Sequence, residues 1–157
     1  YYAHYAESGY AEGRQGSGDR VVPSKEVLDN AAIEAKSYVS DILYYTNKAR
    51  EEAGVPALTL NQALCDTADV RSLECISSYS HNRPDGKAFY TAAEEKGVSY
   101  RYKTGKAAVD GWLASPKHRE NLLDSRYKEI GVSAVKAVTA DGKGGIWFSV
   151  QEFTALR

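Results

Sequence analysis

The hydrophobic period changes once along the chain, and this change restricts the fold class more than any other feature. Over 28–49, apolar residues recur every three or four positions, which predicts an amphipathic helix that Gly54 and Pro56 end. Over 127–138 and 145–153 the residues are β-favouring, and the TADGKGG segment between these runs is typical of a hairpin turn. Helices followed by an antiparallel hairpin predict a layered α+β domain.

Shorter helices are predicted between these two regions. Asn61 is a suitable N-cap for a helix that runs to about Ser78. A third helix is predicted in KAFYTAAEEKG, ending at Gly97, and two more in GKAAVDGWLA and PKHRENLL. Ser115 and Pro116 suit the N-cap and the first turn of the last helix.

The last β-run carries large apolar groups on both faces. Trp147 and Phe153 alternate with Phe148 and Val150, so we expect the sheet to be covered on both sides. The two cysteines, Cys65 and Cys75, fall on one predicted helix, about 15 Å apart. This separation is too long for a disulfide, which predicts two free, buried thiols.

The length of the chain favours a single domain, and its composition argues against a nucleic-acid-binding or membrane-spanning protein. The chain has 157 residues and a formal net charge of −1, without the basic stripe that a nucleic acid needs. No apolar run approaches the roughly 18 residues of a membrane span. Residues 1–26 are rich in Tyr, Gly and Ser and predict a tail, which leaves 27–157 as the domain.

Two of the three histidines stand at predicted element ends. His81 opens HNRPDG, His118 lies in SPKHRENLL, and each is close to an arginine and an asparagine. A histidine in such a place is either a hydrogen-bonded structural residue or part of a site, and spacing alone does not bring the two together. His4 falls in the tail and is given no catalytic role.

Five ordered segments carry a family resemblance: LTLNQALCDTADVRSLE, SHNRPDG, VDGWLASPKHRENLL, YKEIGV and IWFSVQEF. Together they resemble the CAP superfamily, or SCP domain, of cysteine-rich secretory proteins, antigen 5 and plant pathogenesis-related proteins, and its bacterial secreted branch in particular. The resemblance covers about 28–154. It implies an α-β-α sandwich with a small antiparallel sheet between helices, an open cleft, and an extracellular or cell-surface location. The sequence starts without an initiator Met or an apolar leader, as expected of a mature or trimmed chain.

The resemblance also implies a two-histidine site. The family's cleft histidines carry over onto His81 and His118, and in members that bind a divalent metal such as zinc these imidazoles are the ligands. The family's Gly-Glu-Asn segment has no match, because no Glu lies between Glu95 and Trp112. Either the protein lacks this carboxylate, or a short segment of the natural chain is missing here.

Other residues near these motifs are candidates for supporting the cleft. Glu120 and Glu129 are acids close to His118 in sequence, and Asn121 and Gln151 are candidate hydrogen-bonding groups. Arg83 is either a cleft residue or a partner of Asp85 in the Asp-Gly turn. Ser115 is interpreted as a helix cap, since no Gly-x-Ser-x-Gly elbow surrounds it.

Three functions follow, in decreasing order of support. The first is a secreted binding module that holds a small hydrophobic or cell-wall ligand in the cleft, without catalysis. The second is a hydrolase or protease in which a histidine-bound metal activates water. The third is a surface adhesion or interaction protein that engages partners through its tail. Oligomeric state does not follow from the sequence.

Overall fold

The computed structural model describes residues 23–77, 95–100 and 102–154, with side chains for 23–75 and 102–154. The helices are α1 (Lys25–Glu52), α2 (Gln62–Ser77), α3 (Gly105–Ala114) and α4 (Pro116–Leu122). The strands are β1 (Thr59–Leu60), β2 (Glu95–Tyr100), β3 (Glu129–Val138) and β4 (Gly145–Thr154). No helix in these ranges is long and apolar enough to span a membrane.

The first helix is long because both of its ends are well defined. Ser24 is the N-cap, and its hydroxyl accepts a hydrogen bond from the Val27 amide at 3.3 Å. At the other end Gly54 adopts a φ of 72°, a conformation that glycine reaches without strain, and its amide donates to the Glu51 carbonyl at 3.0 Å. The 28 residues between present one buried stripe that includes Ala35, Val39 and Ile42, as the helical period predicted.

The sheet has four strands in the order β1-β3-β4-β2. The predicted hairpin is confirmed, with β3 and β4 pairing antiparallel along their whole length, from Glu129 opposite Thr154 to Val138 opposite Gly145. β1 lies beside β3 and is parallel to it, with Thr59 opposite Glu129. β2 pairs antiparallel with β4 on the other edge.

One predicted element is wrong over its last residues. The third helix was expected to end at Gly97, but Glu95–Tyr100 is strand β2, and the rest of that predicted helix lies outside the described residues. The free edge of β4 offers backbone groups to this segment, and Val98, Ser99 and Tyr100 pair in register with it. Sheet pairing therefore overrode a weak local helix preference.

Helices cover both faces of the sheet, which confirms the predicted sandwich. Tyr38 and Ile42 of α1 and Trp112 of α3 share one core cluster with Val132 and Phe153 of the sheet. On the opposite face a smaller cluster joins α2 to β3 and β4 through Ala68, Cys75, Ala137, Phe148 and Val150. Side chains on both faces of β4 are therefore buried, as expected.

The second helix lies very close to β3, and a glycine makes this approach possible. A Cβ atom on Gly131 would lie 2.3 Å from the backbone carbon of Leu64. Asn61 caps α2, its side-chain oxygen accepting from the Leu64 amide at 3.2 Å, as predicted. Cys65 and Cys75 are both buried and neither forms a disulfide, which confirms the prediction that they do not pair with each other.

Candidate functional site

Two of the seven predicted site residues lie outside the described residues. His81 and Arg83 belong to the range 78–94, so the pairing of His81 with His118 stays a prediction. The remaining candidates are His118, Glu120, Asn121, Glu129 and Gln151, and the structure places all five.

His118 is half-buried in the first turn of α4, and its ring is held by a neighbouring hydroxyl. Its Nδ1 lies 3.0 Å from Ser115 Oγ; Nδ1 donates this bond if it carries the proton and accepts it otherwise. Ser115 occupies the N-cap position, as predicted, but its side chain makes no capping hydrogen bond. The hydroxyl instead orients the imidazole, because residues three apart on a helix face each other.

The chain bends between α3 and α4, and this bend presents His118 at a helix start. Ser115 ends α3 with an extended φ and ψ of −94° and 119°, and its amide donates to the Trp112 carbonyl at 3.1 Å. The Ser115 carbonyl then accepts the first hydrogen bond of α4, from the Arg119 amide at 2.8 Å. Pro116 in the first turn has no amide to leave unsatisfied and so favours a new helix here.

A buried arginine anchors the far end of α4. Arg50 is fully buried in the last turn of α1, and its guanidinium donates to four backbone carbonyls. Nε donates to the Pro56 carbonyl at 2.8 Å, and Nη1 to those of Leu122 and Asp124 at 2.7 and 3.0 Å. Nη2 donates to the Tyr127 carbonyl at 3.3 Å. These bonds tie the end of α4 to α1 and to the start of β3, so they fix the helix that carries His118.

The turn after α4 is also held by an ion pair. The Arg126 guanidinium donates from Nη2 to Asp124 Oδ2 at 2.5 Å and from Nε to Oδ1 at 3.0 Å. These hydrogen bonds lower the pKa of Asp124 to about 2, against the opposing effect of partial burial. The carboxylate therefore stays charged over the whole physiological pH range.

The other candidate residues are engaged on different elements. Glu120 is exposed and Asn121 half-buried on α4. Glu129, at the start of β3, accepts from Asn61 Nδ2 at 2.9 Å and so links the sheet to the start of α2. Gln151 is fully buried in β4, where its Nε2 donates to Thr46 Oγ1 at 2.8 Å and ties the sheet to α1.

The described residues alone do not supply a divalent-metal site. Within 23–75 and 102–154, no three His, Cys, Asp or Glu side chains are grouped so that they could hold an ion. A protein-bound zinc ion takes three or four protein ligands, and of the predicted pair only His118 is described. Glu129 is hydrogen-bonded to Asn61 and Gln151 to Thr46, so their contacts do not direct them towards an ion.

The roles of two residues that shape this region were not recognised from the sequence. Ser115 was interpreted as a cap, and its contact with His118 was not foreseen. Arg50 was not singled out, although the sequence held a signal for it. Ile42, Thr46 and Arg50 follow each other at four-residue spacing, which places the arginine on the buried stripe of α1.

Comparison with known proteins gives this arrangement a family. The model of the cysteine-rich secretory protein family, CAP, matches residues 43–153. YkwD of Bacillus subtilis is 24% identical over 129 residues, which cover 75% of this chain and 48% of YkwD. The chain spans under half the length of the curated relatives it matches.

Solved structures share the fold. An extracellular protein containing an SCP domain from Bacillus anthracis has a TM-score of 0.59 at 22% identity, over 87% of this chain and 45% of that one. A cysteine-rich secretory protein from Staphylococcus aureus has a TM-score of 0.55 at 20% identity, over 76% and 39%. The family match runs from within α1 into the end of β4, and the chain therefore belongs to the cysteine-rich secretory protein (CAP) family.

Proposed function

We propose that this domain is a binding module of an extracellular protein and holds a lipid or cell-wall ligand at a site that includes His118 and His81. The observation that carries the proposal is the contact between Ser115 Oγ and His118 Nδ1 at 3.0 Å. An imidazole whose orientation is set by a hydrogen bond is preorganised for a ligand, as binding sites require. The extracellular location is supported by the SCP-domain protein of Bacillus anthracis, which is described as extracellular.

The rigid support under α4 is the second argument. Arg50 holds the carbonyls of Leu122 and Asp124, so the helix does not depend on its own seven residues for its position. A helix this short is unstable alone, and tertiary contacts must hold it in place. Sites built on held elements keep their geometry better than sites on loose loops.

Binding assays with paired variants test the proposal. The probes are a fluorescent fatty acid and purified peptidoglycan, offered to the wild type, His118→Ala, His81→Ala and Lys117→Ala. Lys117 is exposed on the same turn and serves as the control. We expect both histidine variants to lose binding to one probe while Lys117→Ala keeps it. Wild-type binding to both probes that survives both histidine substitutions would contradict the proposal.

A divalent metal belongs to this proposal as a weak ligand of the two histidines. Two imidazoles make only half of a tetrahedral zinc shell, so little binding energy comes from the protein. Imidazole must be neutral to coordinate, so affinity should fall as the pH drops below about 6.5. Calorimetric titration of zinc into the wild type, His81→Ala and His118→Ala checks this. Tight binding that persists in either variant would contradict the two-histidine site.

The contact between Ser115 and His118 also makes a hydrolase the second candidate function. A hydroxyl and an imidazole at 3.0 Å have the separation of a nucleophile and its general base. Hydrolysis of an activated ester and of casein, by the wild type and Ser115→Ala and with a metal chelator, separates the cases. Activity that is lost in Ser115→Ala but persists with the chelator indicates a serine nucleophile, whereas activity lost to the chelator indicates a metal-activated water. No hydrolysis of either substrate favours the binding module.

A further inference from the structure

A concave site lies apart from His118, between α1, the start of α3 and the β3–β4 hairpin. It encloses about 540 Å³, a volume in the range of small-molecule sites. Tyr38 and Trp147 line it and stack on each other, with ring centroids 4.5 Å apart and an angle of 24° between the rings. We call this cavity the lysine cup, because Lys103, Lys136 and Lys143 also line it.

The walls of the lysine cup are built by close backbone approach. A Cβ atom on Gly105 would lie 2.3 Å from the Tyr38 carbonyl oxygen, so α3 can begin against α1 only with glycine at this position. On the hairpin side a Cβ atom on Gly145 would lie 2.7 Å from the Ala137 carbonyl oxygen. Tyr38 also donates its hydroxyl to the Tyr102 carbonyl at 3.0 Å, which fixes the segment leading into α3. The cup is therefore a packed feature of the fold.

The three ammonium groups of the lysine cup are not equivalent. Lys136 Nζ pairs with Glu34 at 2.8 Å and lies 5.7 Å from the Trp147 ring centroid. Lys103 and Lys143 are exposed, and neither ammonium forms a hydrogen bond or ion pair with any residue in the part of the chain that the structure describes. These two lysines come from different walls, one before α3 and one in the hairpin.

The remaining charges identify the chemistry of a ligand. Glu34 is neutralised by Lys136, so Lys103 and Lys143 share the cup with one other carboxylate, Asp41. Asp141, which is not among the lining residues, is close enough to Lys143 for that charge to help lower the pKa of the carboxyl, but it forms no ion pair with Lys143. An anion that takes several ammonium donors at once suits the lysines, and phosphate is such an anion. Asp41 repels a bare anion but accepts hydrogen bonds from hydroxyl groups, and Ser37 beside it in the cup can do the same. Both requirements are met by a phosphate group carried on a polyol.

We propose that the lysine cup binds a polyol phosphate, with Lys103 and Lys143 on the phosphate and Asp41 on the hydroxyls. The site is distinct from that of His118, which does not line the cup. Its success or failure is therefore independent of the function proposed above.

Direct titration tests this site. Binding of the probe, glycerol 3-phosphate, is followed by calorimetry and by tryptophan fluorescence, to which Trp147 in the cup contributes. Inorganic phosphate and glycerol serve as partial ligands. We expect the double variant Lys103→Gln/Lys143→Gln to bind glycerol 3-phosphate about tenfold more weakly or worse. Asp41→Asn should weaken glycerol 3-phosphate binding but not inorganic phosphate binding. Binding should also weaken as salt is raised from low to physiological concentration.

Lys106→Gln is the matched control, because Lys106 is exposed in the first turn of α3 but pairs with Asp110 at 2.6 Å outside the cup. An equal loss in Lys106→Gln and the double variant would mean non-specific charge attraction and would overturn the proposal. So would unchanged binding in the double variant, or no wild-type binding at millimolar probe. The lysine variants replace exposed side chains and Asp41→Asn replaces a half-buried one with a group of the same size, and circular dichroism verifies that all of them fold.

Vesicles of phosphatidylglycerol, compared with phosphatidylcholine, show whether the polyol phosphate is a lipid head group. If the wild type binds phosphatidylglycerol vesicles but not phosphatidylcholine vesicles, and the double variant does not bind them, the result supports the site and identifies the ligand as a lipid head group. The proposal would be overturned if the double variant still bound the vesicles and the wild type did not bind glycerol 3-phosphate.

Discussion

A single buried arginine connects three separate parts of this chain. The guanidinium of Arg50 contacts the carbonyls of Pro56, Leu122, Asp124 and Tyr127, and within 23–75 and 102–154 no carboxylate is a direct partner. Burial lowers the pKa of Arg50, and the nearby charge of Asp124 opposes this effect. The guanidinium thus satisfies the carbonyl of Leu122 in a buried contact and three further carbonyls in partly buried ones.

Arg50→Met should destabilise the protein strongly. We expect a loss of about 3 kcal/mol in the free energy of unfolding, because one buried and three partly buried carbonyls would lose their donor at once. Urea unfolding measures this, and Lys48→Met, an exposed change on the same helix, should stay within about 0.5 kcal/mol of the wild type. A small loss for Arg50→Met would mean that water replaces the guanidinium.

Tyr38 should make stability depend on pH in the alkaline range. Burial raises the pKa of its phenol from 10.0 to about 12, against the opposing effect of a hydrogen bond with Ser149. The folded state binds this proton more tightly than the unfolded state, so the resulting stabilisation is complete below pH 10. It is lost as the pH rises to about 12.

A comparison with Tyr38→Phe isolates this effect. The variant has no ionisable group at this position, so its stability relative to the wild type should improve from pH 10 upward. Urea unfolding at several pH values up to 11 is the measurement. Tyr44→Phe, at a position that is 61% exposed, controls for the loss of a solvated hydroxyl. A constant difference between Tyr38→Phe and the wild type would contradict the raised pKa.

At the scale of elements, the contact between α2 and β3 depends on one missing side chain. Gly131→Ala would place a Cβ atom 2.3 Å from the Leu64 backbone, and helix and strand would have to separate. We expect a loss of about 3 kcal/mol from this overpacking. Gly144→Ala, whose Cβ atom would meet Thr139 at an ordinary 3.4 Å, should cost far less. Thermal unfolding of the two variants compares them, and equal losses would refute this account.

At the scale of the whole molecule, the two thiols report on opening of the fold. Cys65 and Cys75, both on α2, are 0% and 1% exposed, and burial raises the pKa of Cys65. A thiol reagent should therefore react slowly with the folded protein, at the rate at which α2 leaves the sheet. Under denaturing, non-reducing conditions it should count two thiols per chain. A count of zero would mean that the cysteines pair between chains.

The sequence by itself determined the local structure of this protein. The three-to-four period of α1, the cap at Asn61 and the β-run pattern of β3 and β4 each depend on residues close together in the chain. The same holds for the free cysteines, which are separated by the rise of one helix. The order of the five family motifs also sufficed to identify the family, because that identification needs no three-dimensional information.

Only the tertiary structure decided which polar groups serve the fold and which face a site. Arg50 is a buried anchor because Leu122, 72 positions away, comes to it, and Gln151 is engaged by Thr46 across 105 positions. Residues 95–97 lie in a strand because Glu95 and, after a register shift, Val98, Ser99 and Tyr100 pair with the edge of β4. Such contacts join segments far apart in sequence, and no local period encodes them. The hydroxyl of Ser115 orients His118 although a cap was predicted, because two short helices meet at that residue.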